Sequence, residues 1–150
     1  MALDWLLASL HHLAVFALLA ILAGELAMTG GRIDATVVGR LTRLDAWYGV
    51  AAAGVLGAGV ARVFLGAKGA AYYEVNSLFW AKMAVFALAA GLSALPTLQF
   101  LAWRRGARVD PHFAPSPRAL ASVRWTLRLE AAAFALLAIL AAGMARGFGA

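Results

Sequence analysis

The chain has 150 residues, 64% of them hydrophobic and only 13% charged, with a mean hydropathy of +0.83 and a formal net charge of +6. That charged share is about half the ~25% usual in soluble domains. A body of this size in water would lack the polar surface to cover itself, and a bilayer is its simplest solvent. The absence of cysteine excludes disulfides, thiolate metal centres and iron–sulfur clusters.

Runs of about 20 apolar residues are needed to cross a membrane, and four are present, at residues 5–27, 46–67, 77–103 and 121–145. They predict an all-α fold, a four-helix transmembrane bundle forming one integral membrane domain over residues 1–150. No Lys or Arg precedes the first run, so it lacks a signal-peptide n-region and reads as a retained span. Arg62 interrupts the second run, and Pro96 sits inside the third, where bundle neighbours tolerate a kink. The fourth carries Arg124, Arg128 and Glu130 in its first half. The connections "MTGGRIDATVVGRLTRLD" and "RRGARVDPHFAPSPR" share one side and hold most of the arginines, whereas "GAKGAAYYEVN" lies on the other. The positive-inside rule then places both Arg-rich loops in the cytoplasm and both termini outside, as in a multi-pass protein of a bacterial inner membrane. On this reading the net charge reports topology and contact with anionic lipid, and no nucleic-acid partner is expected.

At about 100° per residue, His11 falls on the face of Glu25, whereas His12 points elsewhere. Tyr48 and Arg62 share a face of the second span, and Lys82, Ser93, Pro96 and Thr97 share one of the third. Two small-residue lines, Ala131–Ala135–Ala138–Ala142 and Ala53–Gly57–Ala61, are of the kind that packs membrane helices closely. Depth sorts the polar groups into two layers. Toward the outer side lie His11, Arg62, Lys82 and Arg146, with Tyr72 and Tyr73 in the adjacent loop. Toward the cytoplasm lie Glu25, Arg43, Asp45, Tyr48, Arg128 and Glu130. His11 and Glu25 stand ~21 Å apart along their helix and belong to different layers.

The inner layer reads as ion pairing, with Glu25, Asp45 and Glu130 balancing Arg43, Arg128 and Arg124 near the headgroups. The outer layer has cations with few acidic neighbours, Glu74 and Asp4 alone being at hand. Snorkelling explains Arg62 and Arg146. Lys82 is about one and a half turns into its span, and a cation cluster beside a histidine suits an anion such as the carboxylates of an amphiphilic ligand. His11 has three readings: a hydrogen-bonded bundle residue, an axial ligand to a haem iron, or a proton relay or general base. "GVLGAG" is no phosphate loop, because no strand precedes it and it lies within a span. Four scattered methionines without cysteine argue against a copper(I) path.

The ordered strings "LHHLAVF", "RLTRLDAWYG", "ARVFLGAKG", "YYEVNSLFWAK", "SALPT" and "WRR", with Glu25 after the first, resemble a family of small four-helix bacterial membrane proteins known as a domain of unknown function. More distantly the chain is similar to the HemJ and CopD-like membrane proteins. In the HemJ family, a haem-containing protoporphyrinogen IX oxidase, the first span carries a histidine that His11 matches. The third span opens on an aromatic, one residue and a lysine, which Trp80 and Lys82 match. The resemblance implies a haem ligand at His11 and a partner to a porphyrin carboxylate at Lys82; the depth reading adds Arg62 to the same outer-half pocket, where a haem b would place its propionates. The "RLTRLDAWYG" block departs from that family and bears on the oxidase activity more than on the fold.

Three functions stand as expectations. The first is a haem-b or porphyrin-binding membrane protein, a HemJ-like oxidoreductase if enzymatic, with cofactor contacts at His11, Lys82 and Arg62 and metal ligation at His11. The second is a small proton-linked transporter using Glu25, His11 and Lys82. The third is a structural or assembly subunit of a membrane complex, or a homo-oligomer, associating through the small-residue lines.

Overall fold

The computed structural model describes residues 2–110 and 112–149. Its elements in chain order are α1 (Ala2–Gly30), α2 (Ala35–Leu65), α3 (Gly69–Val75), α4 (Ser77–Val109) and α5 (Pro117–Ala145). The four long helices are each long and apolar enough to cross a membrane, and among the described residues there is no strand. α1 lies beside α2 and α5, and α4 beside α5 and α2, which closes a four-helix ring. Neighbours run antiparallel: Gly24 faces Leu44 and Gly54 faces Ala14 across α1 and α2, and Gly143 faces Leu78 across α4 and α5. One end of the bundle carries the termini and α3; the other carries the arginine-rich connections.

The helices extend further than the apolar runs, because their boundaries are set by caps rather than by hydropathy. Asp34 is extended (φ −108°, ψ 179°) and its Oδ1 accepts the Val37 N–H at 2.9 Å, so α2 starts eleven residues before the apolar run does. Ser116 accepts the Ala119 N–H at 3.2 Å ahead of Pro117, whose missing N–H is harmless in the first turn. α3 was not expected; the Gly69 backbone at φ +70° turns the chain into it. α5 ends in a Schellman arrangement: the Phe148 N–H donates to the Gly143 carbonyl and the Gly147 N–H to that of Met144, with Gly147 at φ +84°.

That turn brings the C-terminal residues onto the start of α4. Asn76 is fully buried; its Oδ1 accepts the Phe79 N–H at 3.0 Å, and its amide donates to the Phe148 carbonyl at 3.2 Å. The Ser77 N–H donates to the Gly149 carbonyl at 2.8 Å. Asn76→Ala removes a helix cap and the tie to the tail together. It is expected to cost about 0.5–2 kcal/mol and to speed protease trimming of the C-terminus; unchanged thermal unfolding and trimming in detergent would contradict this.

Burial is uneven along the bundle axis. Toward the arginine-rich end, Leu18, Leu22, Leu41, Phe100, Trp103, Val123 and Leu127 form a close-packed core. Toward the terminal end it runs out: no residue of α1 before Leu18, of α2 after Val55 or of α4 before Ala89 is buried. The small-residue lines do not pack the ring. Ala135, Ala138, Ala142, Ala53 and Gly57 are exposed on its outside, and Ala131 and Ala61 are half-buried. Close approach of α1 and α2 comes instead from Gly24, Gly54 and Gly59, the last two from the "GVLGAG" string.

Candidate functional site

In the terminal half of the bundle, the structure brings His11, Arg62 and Lys82 together. All three are half-buried, and Arg62 and Lys82 stand close enough to His11 for their charges to act on it. His11 Nδ1 lies 3.1 Å from the Val55 carbonyl oxygen. A carbonyl only accepts, so Nδ1 carries the proton and Nε2 of the neutral ring presents its lone pair. The ring packs on Gly59, where an added Cβ would come within 3.4 Å of Cε1. Arg62 Nε is buried with no hydrogen-bond partner. A buried donor left unpaired costs about 1–3 kcal/mol, so the guanidinium is held where a bound acceptor would relieve it.

The acidic neighbours do not neutralise these cations. Asp4 turns to the α2–α3 connection, where Oδ1 accepts the Ala67 N–H at 3.2 Å, and Glu74 is exposed. Arg146, expected in the same layer, is exposed at the end of α5 and takes no part. His12 is also exposed, as its helical phase predicts. Trp80 is 59% exposed and its indole N–H donates to the Glu74 carbonyl, so of the two matched residues of the "WAK" string Lys82 is the half-buried one and Trp80 faces outward. α3 reaches over the terminal end of the ring: the Tyr72 hydroxyl donates to the Met144 carbonyl of α5 at 3.2 Å, and the Lys68 ammonium sits 4.1 Å over the Tyr72 ring.

The inner layer differs from the ion-pair expectation. Glu25, Asp45 and Glu130 turn into the core, and Arg43 and Arg128 point outward and are exposed. Arg124 donates from Nε to the Thr29 carbonyl at 2.5 Å. The carboxyls take hydroxyl partners instead: Tyr48 donates to Glu130 Oε2 at 2.9 Å, and Thr97 to Asp45 Oδ1 at 2.8 Å. The reason is reach. An arginine near a helix end extends its long stem to the headgroups and keeps its hydration there, whereas a short carboxyl on the inward stripe cannot. Sequence reading placed Tyr48, Glu130 and Asp45 at one depth but paired charges with charges. The overlooked signal was that Tyr48 and Thr97 supply hydroxyls at the same level. Among the described residues, no three His, Asp or Glu side chains converge to hold a metal ion.

A family model described as "Predicted membrane protein (DUF2214)" matches residues 3–149. No curated protein and no solved structure matches the chain.

Proposed function

We propose, from the premise that the chain belongs to the DUF2214 family of membrane proteins, that it binds a carboxylate-bearing, flat apolar ligand of the haem or porphyrin type in the terminal half of the bundle. The observation that carries this reading is the unpartnered buried Arg62 Nε beside Lys82 and a histidine whose proton is held on Nδ1. All three side chains are half-buried at that level, and α3 is tied across this end of the bundle by the Tyr72–Met144 bond. The likeness to the HemJ pattern falls on two of these three residues, His11 and Lys82.

The donor set suits a haem. The Nδ1–H···O=C bond to Val55 orients the imidazole and raises the basicity of Nε2, as a carbonyl behind a metal-bound histidine does. Arg62 and Lys82 would hold the propionates. When bound, a haem would supply one-electron redox chemistry. The chain's own residues would orient the ring by charge at one edge and keep water from its apolar faces. By the positive-inside rule the ligand half faces outward and the arginine-rich end the cytoplasm.

An absorption spectrum of the protein purified in mild detergent, oxidised and then reduced with dithionite, tests this directly. A Soret band with sharpened reduced bands is expected, either as purified or after titration with hemin. His11→Ala is expected to abolish it. Gly59→Leu, which pushes the imidazole off Val55, is expected to weaken hemin binding about tenfold, the low end for disturbing a group behind a metal ligand. No band at any hemin concentration, or a band indifferent to His11→Ala, overturns the assignment.

A further inference from the structure

The carboxyl cluster in the other half of the bundle plays no part in that reading. Glu25 of α1, Asp45 of α2 and Glu130 of α5 are 2%, 9% and 1% exposed. They interact electrostatically with one another: Asp45 and Glu130 act on Glu25, and Asp45 acts on Glu130. Tyr48 fills the space beside them, with its hydroxyl on Glu130 Oε2.

Among the described residues, no cation answers them. On α1, Glu25 is the charged group that faces the cluster. On α2, Asp45 and Tyr48 face it and Arg43 is turned out. α4 contributes the Thr97 hydroxyl, with Arg104 and Arg105 exposed at its far end. On α5, Glu130 faces in, Arg128 is turned out and Arg124 is spent on the Thr29 carbonyl. A carboxylate at membrane depth costs at least about 2.5–3.5 kcal/mol on insertion scales, and like charges at one site add to that.

A second observation is independent of this clustering. Glu25 Oε1 and Glu130 Oε1 are both buried with no hydrogen-bond partner, and no side-chain bond satisfies Glu25 at all. An ionised carboxylate only accepts, and every nearby hydroxyl is already committed: Tyr48 to Glu130, Thr97 to Asp45, and Thr29, Thr42 and Thr126 to backbone carbonyls one turn back. The missing element is therefore a donor hydrogen. A protonated carboxyl supplies one, and sheds its charge in doing so.

We propose that Glu25 and Glu130, framed by Asp45 and Tyr48, form a proton-binding site inside the bundle, with the proton carried on the Glu25–Glu130 pair at neutral pH. The ligand is the proton, because what the two Oε1 atoms lack is a donor hydrogen; among the described residues no three acidic groups converge to hold a metal ion. Glu25 lies five residues from the end of α1, about 8 Å of helix, so the site lies near the arginine-rich end. It is separate from the ligand half.

Infrared difference spectroscopy of the full chain in liposomes, between neutral and alkaline pH, tests this. The wild type is expected to show a protonated-carboxyl carbonyl band at neutral pH that bleaches on alkalinisation. Glu25→Gln and Glu130→Gln are each expected to remove about half or more of its amplitude, since each deletes one of two proton carriers. Glu74→Gln, at an exposed site, is expected to leave it unchanged. A wild type with no such band overturns the proposal without reference to any variant. So does a band that survives both Gln substitutions. Bleaching of the band by sodium or potassium at constant pH would overturn it in favour of an alkali-cation site.

Discussion

Phe100→Ala is expected to lower the unfolding free energy by about 2–3 kcal/mol. Phe100 is 0% exposed, its ring lies 5.6 Å from that of Trp103 at 60°, and its carbonyl receives the Thr42 hydroxyl at 3.4 Å. In a water-soluble core, truncating such a ring costs ~3–5 kcal/mol. Part of that is the transfer of apolar surface from water, which vanishes when the separated helices remain in lipid. The lost dispersion contacts and the residual cavity remain, which sets the expected range below the soluble one. Unfolding in mixed micelles with increasing SDS measures it. Leu98→Ala, at a position 62% exposed on the same helix, is expected to change stability little. If the two variants unfold alike, the core is not where the structure places it.

Tyr48→Phe is expected to cost about 1–3 kcal/mol, because it leaves Glu130 buried with neither side-chain oxygen bonded. The bond's own worth across membrane helices is smaller, about 0.6 kcal/mol on average; the larger figure reflects the acceptor left without a donor. The double variant Tyr48→Phe, Glu130→Leu removes both partners and is expected to recover much of the loss. A coupling of about 1 kcal/mol in the double-mutant cycle would be the signature of direct contact. Purely additive losses would mean that the two side chains act apart. Both carboxyl-to-hydroxyl bonds join different helices, α2 to α5 through Tyr48 and α2 to α4 through Thr97, so they also pin the register of three helices.

Hydropathy and helical phase made the four spans legible in the sequence, and helical phase also put His11 rather than His12 on the inward face. Those features are local: an apolar stretch of spanning length has one stable state in lipid, and phase along a helix is arithmetic. Helix ends were less legible, because Asp34, Asn76 and Ser116 override hydropathy by satisfying the first N–H groups of helices that run past the apolar core. α3 was missed because seven residues are too few to leave a periodic signal.

The partners of the polar groups were decided by tertiary structure alone. Charge counting paired Glu25, Asp45 and Glu130 with arginines at the same depth. The folded bundle gives them Tyr48, Thr97 and each other, since an arginine can reach the headgroups and a carboxyl cannot. The small-residue lines were read as packing seams, yet most of them face outward, while Gly24, Gly54 and Gly59 bring α1 against α2. Composition cannot tell which small residue meets a neighbour, because lipid tails and helix faces are equally apolar. By itself, then, the sequence determined that this is a four-span membrane protein and which faces of its helices carry ionisable groups. Helical depth already put His11, Arg62 and Lys82 in one layer; only the tertiary structure decided that they come together and that Glu25, Asp45 and Glu130 turn into the core beside one another. Those meetings depend on how the helices rotate and pair, which interhelical contacts set.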